Sequence, residues 1–184
     1  MRTLTCVILC SFFQLANAQS SKLIKQIEVG GIRGIQLSKT FPILKSGGMA
    51  QISVSKAFGE FIQAGAGVGY IQLEEEDFLP LFLYVKGNKK SKKNSFFFET
   101  SIGFSKGNNY DFSSSLITKY SAGAYFSPGI GYQYVVNENW AVSSGISYIL
   151  QKAKLDQIND KQEVYYSESL SMDLIVFKLG IIIR

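Results

Sequence analysis

The chain contains no histidine, and its two cysteines, Cys6 and Cys10, both fall in the first ten residues. It has three prolines, and beyond the N-terminus no apolar run of the length a membrane-crossing helix needs. Each absence removes a class of function. Without histidine there is no His-based catalytic triad, and without both His and Cys there is no His/Cys metal centre. The formal charge of +5 is small, and the basic residues are scattered rather than striped. Nucleic-acid binding therefore has little support.

What is present begins with MRTLTCVILCSFFQLANAQS. Arg2 supplies a positive start, 4–13 an apolar core, and Ala16-Asn17-Ala18 a small-x-small cleavage pattern. The expectation is a secretory signal peptide over 1–18, removed after Ala18. Cys10 follows Leu9, where a lipoprotein site needs a small residue. Cleavage leaves 184 − 18 = 166 residues, one domain over 19–184, with 18 − 14 = +4 charges and neither Cys nor His. No disulfide can form there, nor can a thiol act as nucleophile.

Seventeen glycines and many Tyr and Phe favour strands and tight turns over helices. Strand side chains alternate between two faces, so period-two patterns are informative. Over 119–136 the even row reads Tyr120, Ala122, Ala124, Phe126, Ile130, Tyr132, Tyr134, Val136, and the odd row is mostly small or polar. Pro128 interrupts the even row, as a kink or bulge would. Over 96–105, Phe96, Phe98, Thr100, Ile102 and Phe104 oppose Phe97, Glu99, Ser101, Gly103 and Ser105. Over 140–151, Trp140, Val142, Ile146, Tyr148 and Leu150 oppose Ala141, Ser143, Gly145 and Ser147. Weaker alternation at 26–37, 50–58, 60–71, 79–86 and 175–183 brings the total to eight strands. Short joins at 58–59 and 137–139 and longer ones at 38–48, 72–78, 106–118 and 152–168 fall at opposite ends of an up-and-down sheet. A basic join at 87–94 is intermediate.

One face of these strands is aromatic and aliphatic throughout. In water it would expose far more apolar area than a soluble monomer tolerates. In lipid it carries no such penalty, but the sheet must close, because unpaired backbone groups are too costly in hydrocarbon. The expected fold is an all-β, eight-stranded antiparallel up-and-down transmembrane β-barrel. Its greasy face meets lipid, and its interior is filled with small and polar side chains. With the termini periplasmic, Phe58, Phe96, Phe98, Tyr134 and Trp140 form an aromatic girdle at one interface, and Tyr70, Phe104, Tyr120 and Tyr148 lie near the other.

The stretches LPLFLYVKGNKKSKKNSFFFETSIGFS and YFSPGIGYQYVVNENWAVSSGISYILQ, with the terminal FKLGI, resemble the small outer-membrane β-barrel proteins of Gram-negative bacteria, of OmpA/OmpX-like and porin-family type. The resemblance covers nearly all of 19–184. It implies residence in the cell outer membrane, contact with outer-membrane lipid, and insertion by the outer-membrane assembly machinery. Such barrels commonly end on an aromatic residue, whereas this chain ends Ile183-Arg184.

Glu28, Glu99 and Lys178 fall on inward rows, and the first and last strands adjoin in a closed barrel. They are expected to form an interior polar network that holds the barrel shut, the alternative being an ion path. Arg33 falls on the lipid row unless Gly30-Gly31 makes a bulge, and the last strand changes phase unless a bulge lies at 174–176. The acidic run 74–77 reads as a solvated loop, and Lys89, Lys90, Lys92 and Lys93 as a soluble turn. No catalytic, cofactor-binding or metal-binding set emerges. The expected role of the monomer is structural or exercised through its outer loops at 106–118 and 152–168. A soluble lipocalin-like barrel with the faces inverted, and a narrow channel, remain alternatives.

Overall fold

A computed structural model of the chain describes residues 23–37, 42–59, 61–74, 76–88, 94–107, 110–111, 116–121, 123–159 and 164–184. The expected leader at 1–18 and the lysines at 89–93 lie outside them.

The strands are β1 (Ile24–Leu37), β2 (Pro42–Phe58), β3 (Ile62–Leu73), β4 (Asp77–Asn88), β5 (Asn94–Gly107), β6 (Tyr110–Asp111), β7 (Leu116–Ser121), β8 (Gly123–Val135), β9 (Trp140–Asn159) and β10 (Val164–Ile183). They form one antiparallel sheet in the order β10-β1-β2-β3-β4-β5-β8-β9, and β9 pairs back onto β10 to close the ring. β7 continues the pairing of β8 along β9, so the two make one stave, and β6 forms a short hairpin with β7. The result is the expected eight-stave up-and-down barrel.

The register sets its shape. Paired residues followed once around the ring from Trp140 run through Ile183, Lys25, Val54, Ala66, Leu83, Ile102 and Phe126 to Leu150. One circuit thus climbs 150 − 140 = 10 residues along β9. With a rise of about 3.3 Å per residue and about 4.8 Å between strands, this stagger tilts the staves by about 40°. Each residue then advances about 2.5 Å along the barrel axis, and each step to the next stave lifts the row by about 3 Å.

Alternation holds along every stave: Leu79, Leu81, Leu83 and Val85 point out, while Phe78, Phe82, Tyr84 and Lys86 point in. None of the three bulges that the sequence left open forms. β1 pairs without a slip through Gly30-Gly31, so there is no bulge and Arg33 does stand on the outer face. β10 keeps one phase from Leu170 to Ile182, placing Leu170, Met172, Leu174 and Val176 inside, and its only register shift lies at Val164–Tyr166. Across Pro128 the pairing with β5 and β9 keeps the same register, so no bulge forms there.

The long joins are also shorter than expected. Polar alternation carries β2, β9 and β10 to 17, 20 and 20 residues, so that most of 42–48, 152–159 and 164–168 is strand rather than loop. At the other end Gly59, with φ of +72°, makes the tight turn between β2 and β3. An L side chain rarely adopts that conformation.

Candidate functional site: a sealed polar belt inside the barrel

The interior is layered. Nearest the chain termini Ile24, Ala141 and Ile182 pack together, with Ala57 and Val135 against them. Farther in comes a polar belt that includes Gln26, Glu28, Gln51, Ser53, Lys86, Glu99, Ser101, Gln133 and Lys178, all buried. Above it Met49, Ile71, Leu73, Phe78, Phe82, Tyr125, Ile149, Leu170, Met172, Leu174 and Val176 form a continuous apolar plug. The expectation of a small and polar filling thus holds for the belt, while the far half is largely a hydrocarbon core with buried polar groups such as Gln36, Gln151 and Lys45 among or beyond it. Part of that core is the inward row of β10, whose Leu170, Met172 and Leu174 the apparent phase change had placed outside.

Two glycines make the close packing work. A Cβ on Gly131 would come within 2.4 Å of the Phe97 ring, and one on Gly67 within 2.6 Å of the Phe82 ring. Bare backbone on β8 and β3 is what lets these two inward rings lie across the lumen.

The belt is a charge-balanced network. Lys178 donates to Glu99 and lies 3.7 Å from Glu28. Gln51 donates to Glu28 Oε2, the same oxygen that faces Lys178. Lys86 is the register partner of Glu99, donates to Gln26 Oε1 at 3.4 Å, and sits 3.8 Å from the centre of the Phe97 ring. Two carboxylates and two ammonium groups therefore share one enclosed space. Glu28, Glu99 and Lys178, which the sequence singled out, come together; Lys86 and Gln51 complete the set. Lys86 was legible in principle, since it falls on the row opposite Leu81, Leu83 and Val85.

A second buried pair closes the far end. Lys45 donates to Glu76 at 2.8 Å, with both side chains inside. Beside it Ser46 donates to Glu74 at 2.6 Å. The run 74–77 is therefore not simply a solvated loop: its third member is turned inward by the β3–β4 turn, in which Leu73 N–H donates to Glu76 O.

The predicted girdle residues Phe58, Phe96, Phe98, Tyr134 and Trp140 all lie on the outer face, Phe96 with 77% of its surface exposed. By the stagger, Phe58, Phe96, Tyr134 and Trp140 fall within about 5 Å of one level and Phe98 about 5 Å farther in. Tyr70, Phe104 and Tyr148 are also outward, roughly 20–25 Å beyond Trp140. The side chains of Tyr110, Phe112, Tyr120 and Tyr165 lie outside the described residues. Beyond the outer aromatic level, Tyr166 donates to Glu168 at 2.8 Å, and the bond to that carboxylate holds the phenol above its ordinary pKa. Among the described residues, no three His, Cys, Asp or Glu side chains converge as a metal ion would require.

No family model and no curated protein matches the sequence. Solved structures do match the fold. Neisserial surface protein A (NspA) aligns with a TM-score of 0.62 at 8% identity, over 87% of this chain and 96% of its own. The outer membrane protein OprG from Pseudomonas aeruginosa gives 0.60 at 9%, over 89% and 97%. The outer membrane protein AlkL, determined in DMPC lipid bilayers, gives 0.60 at 14%, over 89% of each chain. At these identities the likeness is one of architecture: this chain has the closed eight-stave fold of small outer-membrane β-barrels, a fold that by itself assigns no activity.

Proposed function

We propose that this chain is an integral outer-membrane protein, exported through its cleaved leader, whose barrel is a closed, non-catalytic scaffold. One observation carries this reading. Among the described residues, charge on the outward rows is confined to the two ends of the staves. Lys25 and Lys56 lie near the Trp140 level, and Arg33, Lys106, Lys152, Asp173 and Asp77 lie near the level of Tyr148 and Phe104. Between them runs a charge-free apolar band roughly 20 Å deep, close to the ~25 Å that outer-membrane barrels present to lipid. The arrangement is the reverse of a soluble ligand-binding barrel, which keeps its apolar rows inside. It also gives Arg33 a place: at the far interface its guanidinium reaches headgroups.

The partners this implies are outer-membrane lipid and the outer-membrane assembly machinery, with the barrel acting as a monomer. Its role is structural or is exercised through the strands that project at the far end. Fractionation followed by gel electrophoresis with and without boiling tests this. The expected result is recovery in the outer membrane and a folded band that migrates differently from the boiled one; recovery as a soluble periplasmic protein overturns it.

The charged belt favours a second reading, a narrow ion path. Against it stand two apolar closures, one on either side of the belt.

A further inference from the structure

Resting on the membrane-spanning reading above, we infer that the outer face of β1–β4 carries a binding site for one anionic phospholipid of the leaflet nearest the chain termini. Most outward positions at this height are large. β3 departs from this with two small residues in succession: its outward row reads Ile62, Ala64, Ala66, Val68. Ala66 is flanked in register by Val54 and Leu83, and Ala64 by Lys56 and Val85. With Ala64 next on the same row, Ala66 therefore lies at the bottom of a slot beside β3. Ile27, Ile52, Val54, Val68 and Leu81 wall it, and it encloses about 550 Å³.

Cations stand at the mouth of the slot. Lys25 lines it and is the register partner of Val54. Among the described residues the Lys25 ammonium has no ion-pair or hydrogen-bond partner. Lys56 follows two residues after Val54 on the same outward row. The stagger places both lysines about 5 Å to the membrane side of Trp140, and Ala66 about 7 Å deeper. Lysine stems of this length bring their ammonium groups out to headgroup level. A phosphodiester at the lysines would leave its acyl chain running inward along the alanines. Charge and apolar slot are thus stacked in the order a phospholipid presents them, which a second protein copy or a free anion does not match.

Native mass spectrometry of the detergent-solubilised, folded protein with phosphatidylglycerol or phosphatidylcholine tests the inference. The wild type is expected to retain one phosphatidylglycerol in preference to phosphatidylcholine. Lys25→Gln should lower that preference about fivefold, the effect of one positive charge at an anionic surface. Ala66→Phe, which fills the slot, should lower retention of both lipids, and Lys154→Gln, at the far end, should change neither. Equal retention of the two lipids by the wild type, or wild-type retention by Lys25→Gln and Ala66→Phe, overturns the site. Each variant is first checked for the mobility change on boiling. A wild type lacking that change defeats the membrane reading itself and this inference with it; a wild type that shows it and retains no lipid defeats the site alone.

Discussion

Lys178 is the hub of the interior, because it faces Glu28 on the adjacent β1 and reaches across the lumen to Glu99 on β5, a stave that does not neighbour its own. Removing one partner of a buried ion pair leaves an uncompensated charge, which is more costly than the pair itself is favourable. Lys178→Met is therefore expected to destabilise the barrel by about 3–5 kcal/mol, measured as a shift of the urea midpoint followed by gel mobility. The combined Lys178→Met, Glu99→Gln variant should recover part of that loss. Packing supplies a second case. Gly131→Val puts methyl groups where the Phe97 ring lies and should cost about 1–3 kcal/mol by overpacking. By contrast Lys154, itself more than half exposed although its partner Asp156 at 3.1 Å is mostly covered, should change stability by only about 1 kcal/mol when replaced by Ala.

The staves are longer than a bilayer requires. About 9–11 residues cross a membrane, whereas β9 and β10 each run 20. Their excess, with β7 and β6, forms a projecting sheet at the far end, while the Lys45–Glu76 pair ties β2 to the β3–β4 turn. Depth along a stave should therefore govern tolerance to charge. Leu83→Arg, near mid-band with 65% of its surface outward, is expected to cost about 2–4 kcal/mol. Ile35→Arg, beyond the Arg33 level, should cost about 0–1 kcal/mol. The same unfolding assay in lipid vesicles compares them, and equal losses would contradict the assigned band. The misjudged loops have a physical cause: once a strand leaves the bilayer its outward residues turn polar, as Lys152 and Lys154 do, and the pattern that betrays a strand in lipid fades while the hydrogen-bonded ladder continues.

Taken as a closed vessel, the barrel holds its charged belt between two apolar layers. In planar bilayers the wild type is expected to show no steady conductance. Opening the plug by Leu174→Ser with Met172→Ser should be needed before neutralising Glu99 has any effect on current. Conductance by the wild type that responds to Glu99→Gln would make the belt an ion path. The strand count, the outward-facing apolar rows and the inward placement of Glu28, Glu99 and Lys178 were all readable from the chain, because a period of two assigns faces locally and needs no knowledge of neighbours. The ten-residue stagger, the apolar filling contributed by Leu170 to Val176, and the joining of Lys86 and Gln51 to the charged set arose only in three dimensions. Register between staves is set by the whole ring at once, and no single strand carries the information that decides which inward side chains meet across the lumen.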